Sequence, residues 1–298
     1  MLTYGNHFVG KRNNYLLKYY DKYNPLHLPP NTVRVRTNDG NKPIKSFLSS
    51  YQTATLVDGT SDVYDVYKSG TSFESLLCGS TNVIEVLGGN TSDITNMDSM
   101  FSSENELISV ALFDTSKVTN MTRMFHACKK LPTVPLFDTS NATNMHGMFE
   151  SCELITSIPL FNTSNVTEMA FMFGHCLALT TVPLFNTSNV TDMQAMFNSC
   201  ESFITSPLFD TSKVTNMNSM FNRCNSIASI PLFDTSKVTD MSYMFELCYK
   251  VETGALALYN QASSQANPPT DHTHTFYNCG SDTVNGAAEL AQIPSNWK

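Results

Sequence analysis

Along most of this chain apolar residues recur at i, i+3, i+4 and i+7 in one short cassette, as in Met121, Met124, Phe125 and Cys128. That spacing predicts one face of a two-turn helix. Just ahead of the stripe Thr119 occupies the place of a helix cap, and Thr143, Thr167, Thr191, Thr215 and Thr239 repeat it. After each cysteine the pattern changes to Leu131-x-x-Val134-x-Leu136, repeated as Ile155, Ile158 and Leu160. It predicts a short extended segment with the intervening Thr and Ser turned outward. Between the two lies Asp-Thr-Ser-(Lys/Asn)-Val, whose Asp, Asn, Ser and Thr bend a chain through side-chain to backbone hydrogen bonds.

The register does not slip. Leu-Phe pairs begin at Leu112, Leu136, Leu160, Leu184, Leu208 and Leu232, and cysteines follow at Cys128, Cys152, Cys176, Cys200, Cys224 and Cys248, each 24 residues from the last. A unit of that size cannot bury its apolar face alone and must stack on its neighbours. The pattern predicts an α/β repeat solenoid with short parallel strands and short helices. Parallel strands stack at roughly 4.8 Å, whereas a helix is on the order of 10 Å wide, so the array should curve with the strands on its inner face. Proline at Pro135, Pro159, Pro183, Pro207 and Pro231 removes a ladder donor from each strand. It limits the strands to a few residues and leaves open a β-solenoid with irregular turns in place of helices.

The ends of the array are degraded copies. Residues 88–111 keep the sentence, but Gly88-Gly89 replaces Leu-Phe and Glu104 replaces the cysteine; Phe276-x-x-Cys279 restores the spacing after an insertion of seven residues (276 − 245 = 31; 31 − 24 = 7). Atypical ends keep the last core residues from water. The chain therefore divides into a basic, tyrosine-rich N-terminal segment (1–49), an N-terminal cap (50–87), the repeats (88–255) and a C-terminal cap (256–298). The first segment is too short for a large core. It is expected to dock on the first cap or on another subunit, with Lys11, Arg12, Tyr15, Lys18 and Tyr19 as contact candidates, and to hold a strand at Thr32 to Arg36 and a turn at Asn38-Asp39-Gly40.

Charge sharpens this division. Residues 1–46 carry eight cations and two anions (+8 − 2 = +6), so the remainder must carry −14 to reach the net −8. An acidic body of that size excludes nucleic acid as the main ligand. No apolar run approaches the roughly 18 residues of a membrane span, and the first twenty residues lack a secretion leader, so export by the general route is not expected.

Candidate chemistry is sparse. Six of the eight cysteines keep the repeat register, and apart from Met1 all fourteen methionines occupy its two Met positions. Both rows read as interior. With the thiols on the wide side of the arc, neighbours should lie beyond the roughly 7 Å bridging limit, so free thiols are expected. One cysteine per coil also lacks the paired spacing of a zinc site. Asp271-His272-x-His274 is the best metal candidate, but such pairs on a loop are more often solvated. The ladder of Asp114, Asp138, Asp210 and Asp234 reads as turn-capping side chains rather than a calcium site. None of the seven histidines recurs at a coil position beside a paired carboxylate or nucleophile. The expectation is a non-enzyme without catalytic residues, metal or cofactor.

Binding has more to work with. The two residues after the first Met of each coil vary and should point away from the core. Arg123, His146, Phe171, Gln194, Asn218 and Tyr243 are the candidate ligand-binding residues, against the plainer reading that free surface drifts. On the strand side, strict alternation would turn Phe113, Phe137, Phe161, Phe185, Phe209 and Phe233 outward as an apolar ridge. The preferred reading is that the turn folds these rings inward.

The runs FDTSKVTNM, FNTSNVTDM and FDTSKVTDM, followed by Met-Phe, two residues and Cys, resemble the BspA-like leucine-rich-repeat surface proteins of bacteria, including related mycoplasma lipoprotein repeats. The resemblance covers roughly residues 88–255. It implies a leucine-rich-repeat arc and a role in attachment or surface recognition. The opening MLTYGNHFVGKRNNYLLKYYDKYNPL is similar to the starts of repeat proteins encoded by gut bacteriophages and prophages, and a virion protein needs no leader. Two functions follow as expectations. One is a recognition module on a phage particle or bacterial surface that binds a host receptor protein or glycan. The other is a structural virion or assembly protein whose solenoid and N-terminal segment pack against neighbouring subunits.

Overall fold

The computed structural model describes residues 28–46 and 48–298. Its N-terminal part is a five-stranded sheet, β1 (Thr32–Thr37), β2 (Thr53–Leu56), β3 (Val63–Tyr67), β4 (Val83–Asn90) and β5 (Ser109–Val110), in the order β2-β3-β1-β4-β5. β1 pairs antiparallel with both β3 and β4, and β4 pairs parallel with β5. Alternation places Val33 and Val35 in the core, while Arg34 meets its register partner Asp65 through two hydrogen bonds of 2.6 and 2.8 Å. Arg36 pairs in the same way with Glu85. β1, which the sequence division places before residue 49, is the central strand of a sheet whose other strands come from residues 53–110. The turn at Asn38-Asp39-Gly40 is present, with Gly40 at φ 70°.

The repeats are stacked by backbone hydrogen bonds between residues in adjacent coils, and here the expected helices are absent. The cassette from Met121 to Cys128 is a chain of β-turns, closed by Met124 N–H to Met121 O, His126 N–H to Arg123 O and Cys128 N–H to Phe125 O at 3.0–3.2 Å. Arg123 and Ala127, third in the first and last of these turns, have φ of 49° and 57°, as a type II turn requires. The alternate amides then point out of the coil. Met121, Arg123, Phe125 and Ala127 donate to Asn144, His146, Met148 and Glu150 of the next coil at 2.7–3.0 Å. A helix would spend those donors internally; the turns spend them on the neighbour, so stacking and turn formation are one event.

Parallel bridges run down the same side, from Ser72 through Asn96, Asn120, Asn144, Glu168, Asp192, Asn216 and Asp240 to Asp271. In the Leu131 to Leu136 segment and its equivalents, where strands were expected, parallel pairing is confined to the two ends of the array, as β5 on β4 and as the single bridge from Ser229 to Thr253. Thr119 caps no helix either: its amide and hydroxyl both donate to Thr95 O, at 2.9 and 3.3 Å, and the row of equivalent threonines repeats this. Asp114 and Asp138 accept from the amides of Ser116 and Ser140, the turn-capping role read from sequence.

All fourteen repeat methionines and the six register cysteines are fully buried. Phe101, Phe125, Phe149, Phe173, Phe197, Phe221, Phe245 and Phe276 form one stack with centroids 5.2–6.1 Å apart. Phe113, Phe137, Phe161, Phe185, Phe209 and Phe233 are buried beside it. The proline explains this second row. Phe137 N–H bonds to Pro135 O at 3.0 Å, a one-residue turn centred on Leu136, and it recurs at Phe161, Phe209 and Phe233. The turn breaks the alternation, so the ring swings inward and the leucine outward.

All eight cysteines are free and buried, although the reason differs from the one expected. The turn side is tightly hydrogen bonded rather than fanned out, and each register thiol donates to a phenylalanine carbonyl of the preceding coil, as Cys128 does to Phe101 O at 3.1 Å. Burial pushes Cys152, Cys200 and Cys248 up to about 12 and raises the other five as well. Since the thiolate is the nucleophile, an aromatic disulfide reagent at pH 8 is expected to leave the native protein unlabelled and to react with all eight thiols in urea. Fast labelling of one register cysteine without denaturant would show that its coil is open.

At the C-terminal end α1 (Ala255–Ser263) and α2 (Val284–Gln292) follow the last coil. Glu289 of α2 accepts from the amides of Gly254 and Leu256 at the start of α1, where a carboxylate is favoured. Gly286 lies so close to Val251 that a Cβ would fall 2.1 Å from its carbonyl oxygen. Trp297 closes the phenylalanine stack over Phe276 at 6.3 Å. Among the described residues no helix is long and apolar enough to cross a membrane.

Candidate interaction surfaces

The turn side carries the six candidate ligand residues, and its ladder explains their placement. Residues 122 and 123 of one coil align with 146 and 147 of the next, so the variable pairs make two adjacent rows on the outside. Arg123 and Tyr243 are exposed, while His146, Phe171, Gln194 and Asn218 are half-buried. Arg123 lies over Gly147, where a Cβ would come 3.2 Å from its side chain. His146 packs on Phe171 with ring centroids 5.5 Å apart and the planes tilted by 54°, and it faces Glu168 at 3.8 Å. Asn218 donates to Ser242 Oγ at 2.6 Å. Gln194 and Asn218 supply polar groups between the ring-bearing ends of the strip.

Its C-terminal end holds residues that sequence reasoning passed over. Tyr243 N–H bonds to Thr273 O, which brings His274 into the Tyr243 row across the seven-residue insertion. The His274 ring lies 5.6 Å from Tyr243 and 5.0 Å from Tyr277. Glu246 faces His274 Nδ1 at 3.5 Å and accepts from Asn222 Nδ2 at 2.7 Å. Two exposed tyrosines and the half-buried His274 ring thus converge beside a carboxylate that a buried carboxamide supports. The 31-residue step from Phe245 to Phe276 was the available signal: applied to Tyr243 it lands on His274. His272 instead packs on Trp297 at 4.2 Å, so the two histidines of the metal candidate are employed separately. Among the described residues no three His, Cys, Asp or Glu side chains gather as metal ligands would.

One turn forward, His126 lies near Glu150 at 3.8 Å, and its hydroxyl neighbour is Ser102 at 3.2 Å. Burial lowers its pKa, against the opposing pull of Glu150. Asp192 of the bridge row is raised, first by burial and also by Glu168 beside it. Contrary to the expectation from sequence, His126, His146 and His274 each stand beside a carboxylate, and His126 also beside a hydroxyl, that of the buried Ser102. The docking candidates Lys11, Arg12, Tyr15, Lys18 and Tyr19 lie outside the described residues.

The opposite side presents the row that the proline turn expels. Leu112, Leu136, Leu160, Leu184, Leu208 and Leu232 are 54–62% exposed, one per coil. An exposed Asp or Asn stands two residues beyond each. At the N-terminal end of this ridge a cleft of about 490 Å³ is lined by Asn90, Thr91, Leu112, Leu136 and Asp138 among others.

Comparison with known proteins gives a family and two solved structures. No curated protein matches the chain. A leucine-rich repeat protein from Eubacterium ventriosum ATCC 27560 is similar at 16% identity and a TM-score of 0.40, over 68% of this chain and 62% of that one. The chain thus spans less than two thirds of the length of that protein. A leucine-rich repeat protein from Bacteroides ovatus ATCC 8483 is similar at 12% identity and a TM-score of 0.26, over 82% of this chain and 89% of that one. Residues 71–181, 130–208 and 178–283 each match the family described as "Mycoplasma protein of unknown function, DUF285", which therefore spans well over half of the sequence, and the chain belongs to that family.

Proposed function

We propose that the chain is a non-catalytic recognition protein, carried on a bacteriophage particle or a bacterial surface, whose leucine-rich-repeat-like stack binds a host receptor protein or glycan through its outer turn face. One observation carries this reading: the repeat's invariant methionines, phenylalanines and cysteines are spent on the interior, and the outer turn positions gather Tyr243, His274 and Tyr277 beside Glu246, which the buried Asn222 holds in place. Exposed rings beside fixed polar groups are the usual anchors of recognition surfaces. Nothing in this cluster calls for a cofactor.

The full chain, fluorescently labelled, is expected to bind at least one envelope fraction or arrayed glycan from intestinal bacteria. A Tyr243→Ala/Tyr277→Ala variant should bind on the order of tenfold more weakly, with its urea midpoint unchanged. Saturable binding that both proteins share would move the site off the turn face, and no binding by the unaltered chain would overturn the reading. The second reading, a structural virion or assembly protein, is favoured by the leucine ridge, which a free monomer leaves wet. Light scattering of the full chain separates it, since an assembly protein of this kind should self-associate.

A further inference from the structure

Six leucines in one row go beyond the scattered single exposures that need no explanation, and their neighbours limit what fits on them. The ridge alternates an apolar side chain with an exposed Asp or Asn, and Asp114, Asp138, Asp210 and Asp234 supply its charges. A complementary strip must therefore offer large apolar groups and cations at short intervals along an extended chain. The sequence contains such a strip. Residues 1–27 carry Lys11, Arg12, Lys18 and Lys22 against Asp21 (+4 − 1 = +3), leaving −8 − 3 = −11 for residues 28–298. Tyr15, Leu16, Leu17, Tyr19 and Tyr20 surround Lys18 in that segment.

The point of attachment lies at the ridge. Leu28 is buried, and its carbonyl accepts from Asn90 Nδ2 at 2.8 Å. Asn90 also lines the cleft formed with Leu112 and Leu136. Reach is ample: coils about 4.8 Å apart are crossed by roughly one and a half extended residues each, so about eight residues cover all six leucines. Tethering at Leu28 also raises the local concentration of the segment far above that of any free competitor.

We propose that the leucine ridge is the docking surface for the chain's own N-terminal segment, with the aromatic and aliphatic side chains of residues 15–20 on the leucines and the cations beside the aspartates. The outer turn face then stays free for a partner, so this inference stands or falls separately from the one above.

The test uses the full chain with p-benzoylphenylalanine in place of Tyr19, irradiated as an equal mixture of isotopically heavy and light protein. Adducts are expected within single chains, on peptides that carry the ridge leucines. In the Leu136→Asp/Leu160→Asp variant they should fall by on the order of tenfold. Both leucines are exposed, so the variant should keep its urea midpoint. If it does not, hydrogen exchange decides: amides of residues 15–20 in the unaltered chain should be protected. Adducts between heavy and light chains would assign the ridge to a second copy. Adducts on the cap or turn face, or none, would leave it to an external partner. Each of these results overturns the proposal, as does unprotected exchange across residues 15–20.

Discussion

Phe173→Ala is expected to lower stability by about 3–5 kcal/mol, the range for emptying a well-packed aromatic site, whereas Phe171→Ala, two residues away, should cost under about 1 kcal/mol. Phe173 is fully buried, with Phe149, Phe185 and Phe197 at 5.9, 6.2 and 5.5 Å. Truncation removes contacts on three sides, and the backbone ladder to the neighbouring coils resists collapse into the space. Phe171 is half-buried, and among the described residues its one aromatic contact is the His146 ring at 5.5 Å. It also holds φ at 60°, a conformation costly for a bulky residue, so the smaller side chain gives up little. Urea titrations of the two variants read the difference directly. Equal losses would mean that the inner and outer faces of the turn cassette are assigned the wrong way round.

The same pair shows why the cassette was legible as a face but not as a fold. Apolar residues at i, i+3, i+4 and i+7 align on one side of a helix, and they align equally on one side of three linked turns. Periodicity gave Met121, Met124, Phe125 and Cys128 as interior, and all four are fully buried. What separates the two structures is the left-handed residue at positions such as Arg123, Phe171 and Tyr243. Glycine marks that conformation in sequence, and among these equivalents only Gly147 does so. The non-glycine residues tolerate it because their amides bond to the adjacent coil, a partner 23 residues away, or 30 for Tyr243 across the insertion, that no local pattern discloses.

On the other side the clue was present and only half used. The recurring proline limited the expected strands to a few residues, and the structure goes further: the two-residue β5 occupies this position in the first coil, and the Leu131 to Leu136 segment holds no strand. Its carbonyl, closing a turn on the following leucine, inverts the facing of the Leu-Phe pair, so the phenylalanines go inside as preferred and the leucines form the ridge instead. The short strand at Thr32 to Arg36 was read nearly to the residue, because Val33 and Val35 alternate with charged neighbours. Its place in the sheet was not, since its register partners in β3 and β4 lie 27 to 58 residues further along (63 − 36 = 27; 90 − 32 = 58).

Glu104 occupies the cysteine position of the degraded first coil and should make the whole stack pH-sensitive. Its side chain is fully buried. Oε1 accepts from the Ser80 amide at 2.6 Å, and Oε2 has no partner among the described residues. Loss of hydration raises its pKa to about 9, and the single amide bond pulls the other way without prevailing. The carboxyl is therefore protonated in the folded protein near pH 7 and ionised in the unfolded chain, whose pKa is about 4.3. Between those values the folded state binds one more proton than the unfolded one. Stability from this group is complete below the unfolded value and declines by about 1.4 kcal/mol per pH unit until the folded one is passed. From pH 5 to pH 8 the loss is about 4 kcal/mol. His126 contributes with the opposite sign, because burial lowers its pKa and its stabilising effect is lost as pH falls, so the comparison must be between variants. Glu104→Gln keeps an acceptor for Ser80 and leaves a buried NH₂ where Oε2 stood, at a cost of about 1–3 kcal/mol. It should be no more stable than the unaltered protein at pH 5 and more stable at pH 8. Glu104→Cys, which restores the residue of the other six coils, should gain at both. Urea unfolding at pH 5 and pH 8 decides: if all three proteins change stability in parallel, the carboxyl is already ionised in its native site and the buried, proton-bearing glutamate does not exist.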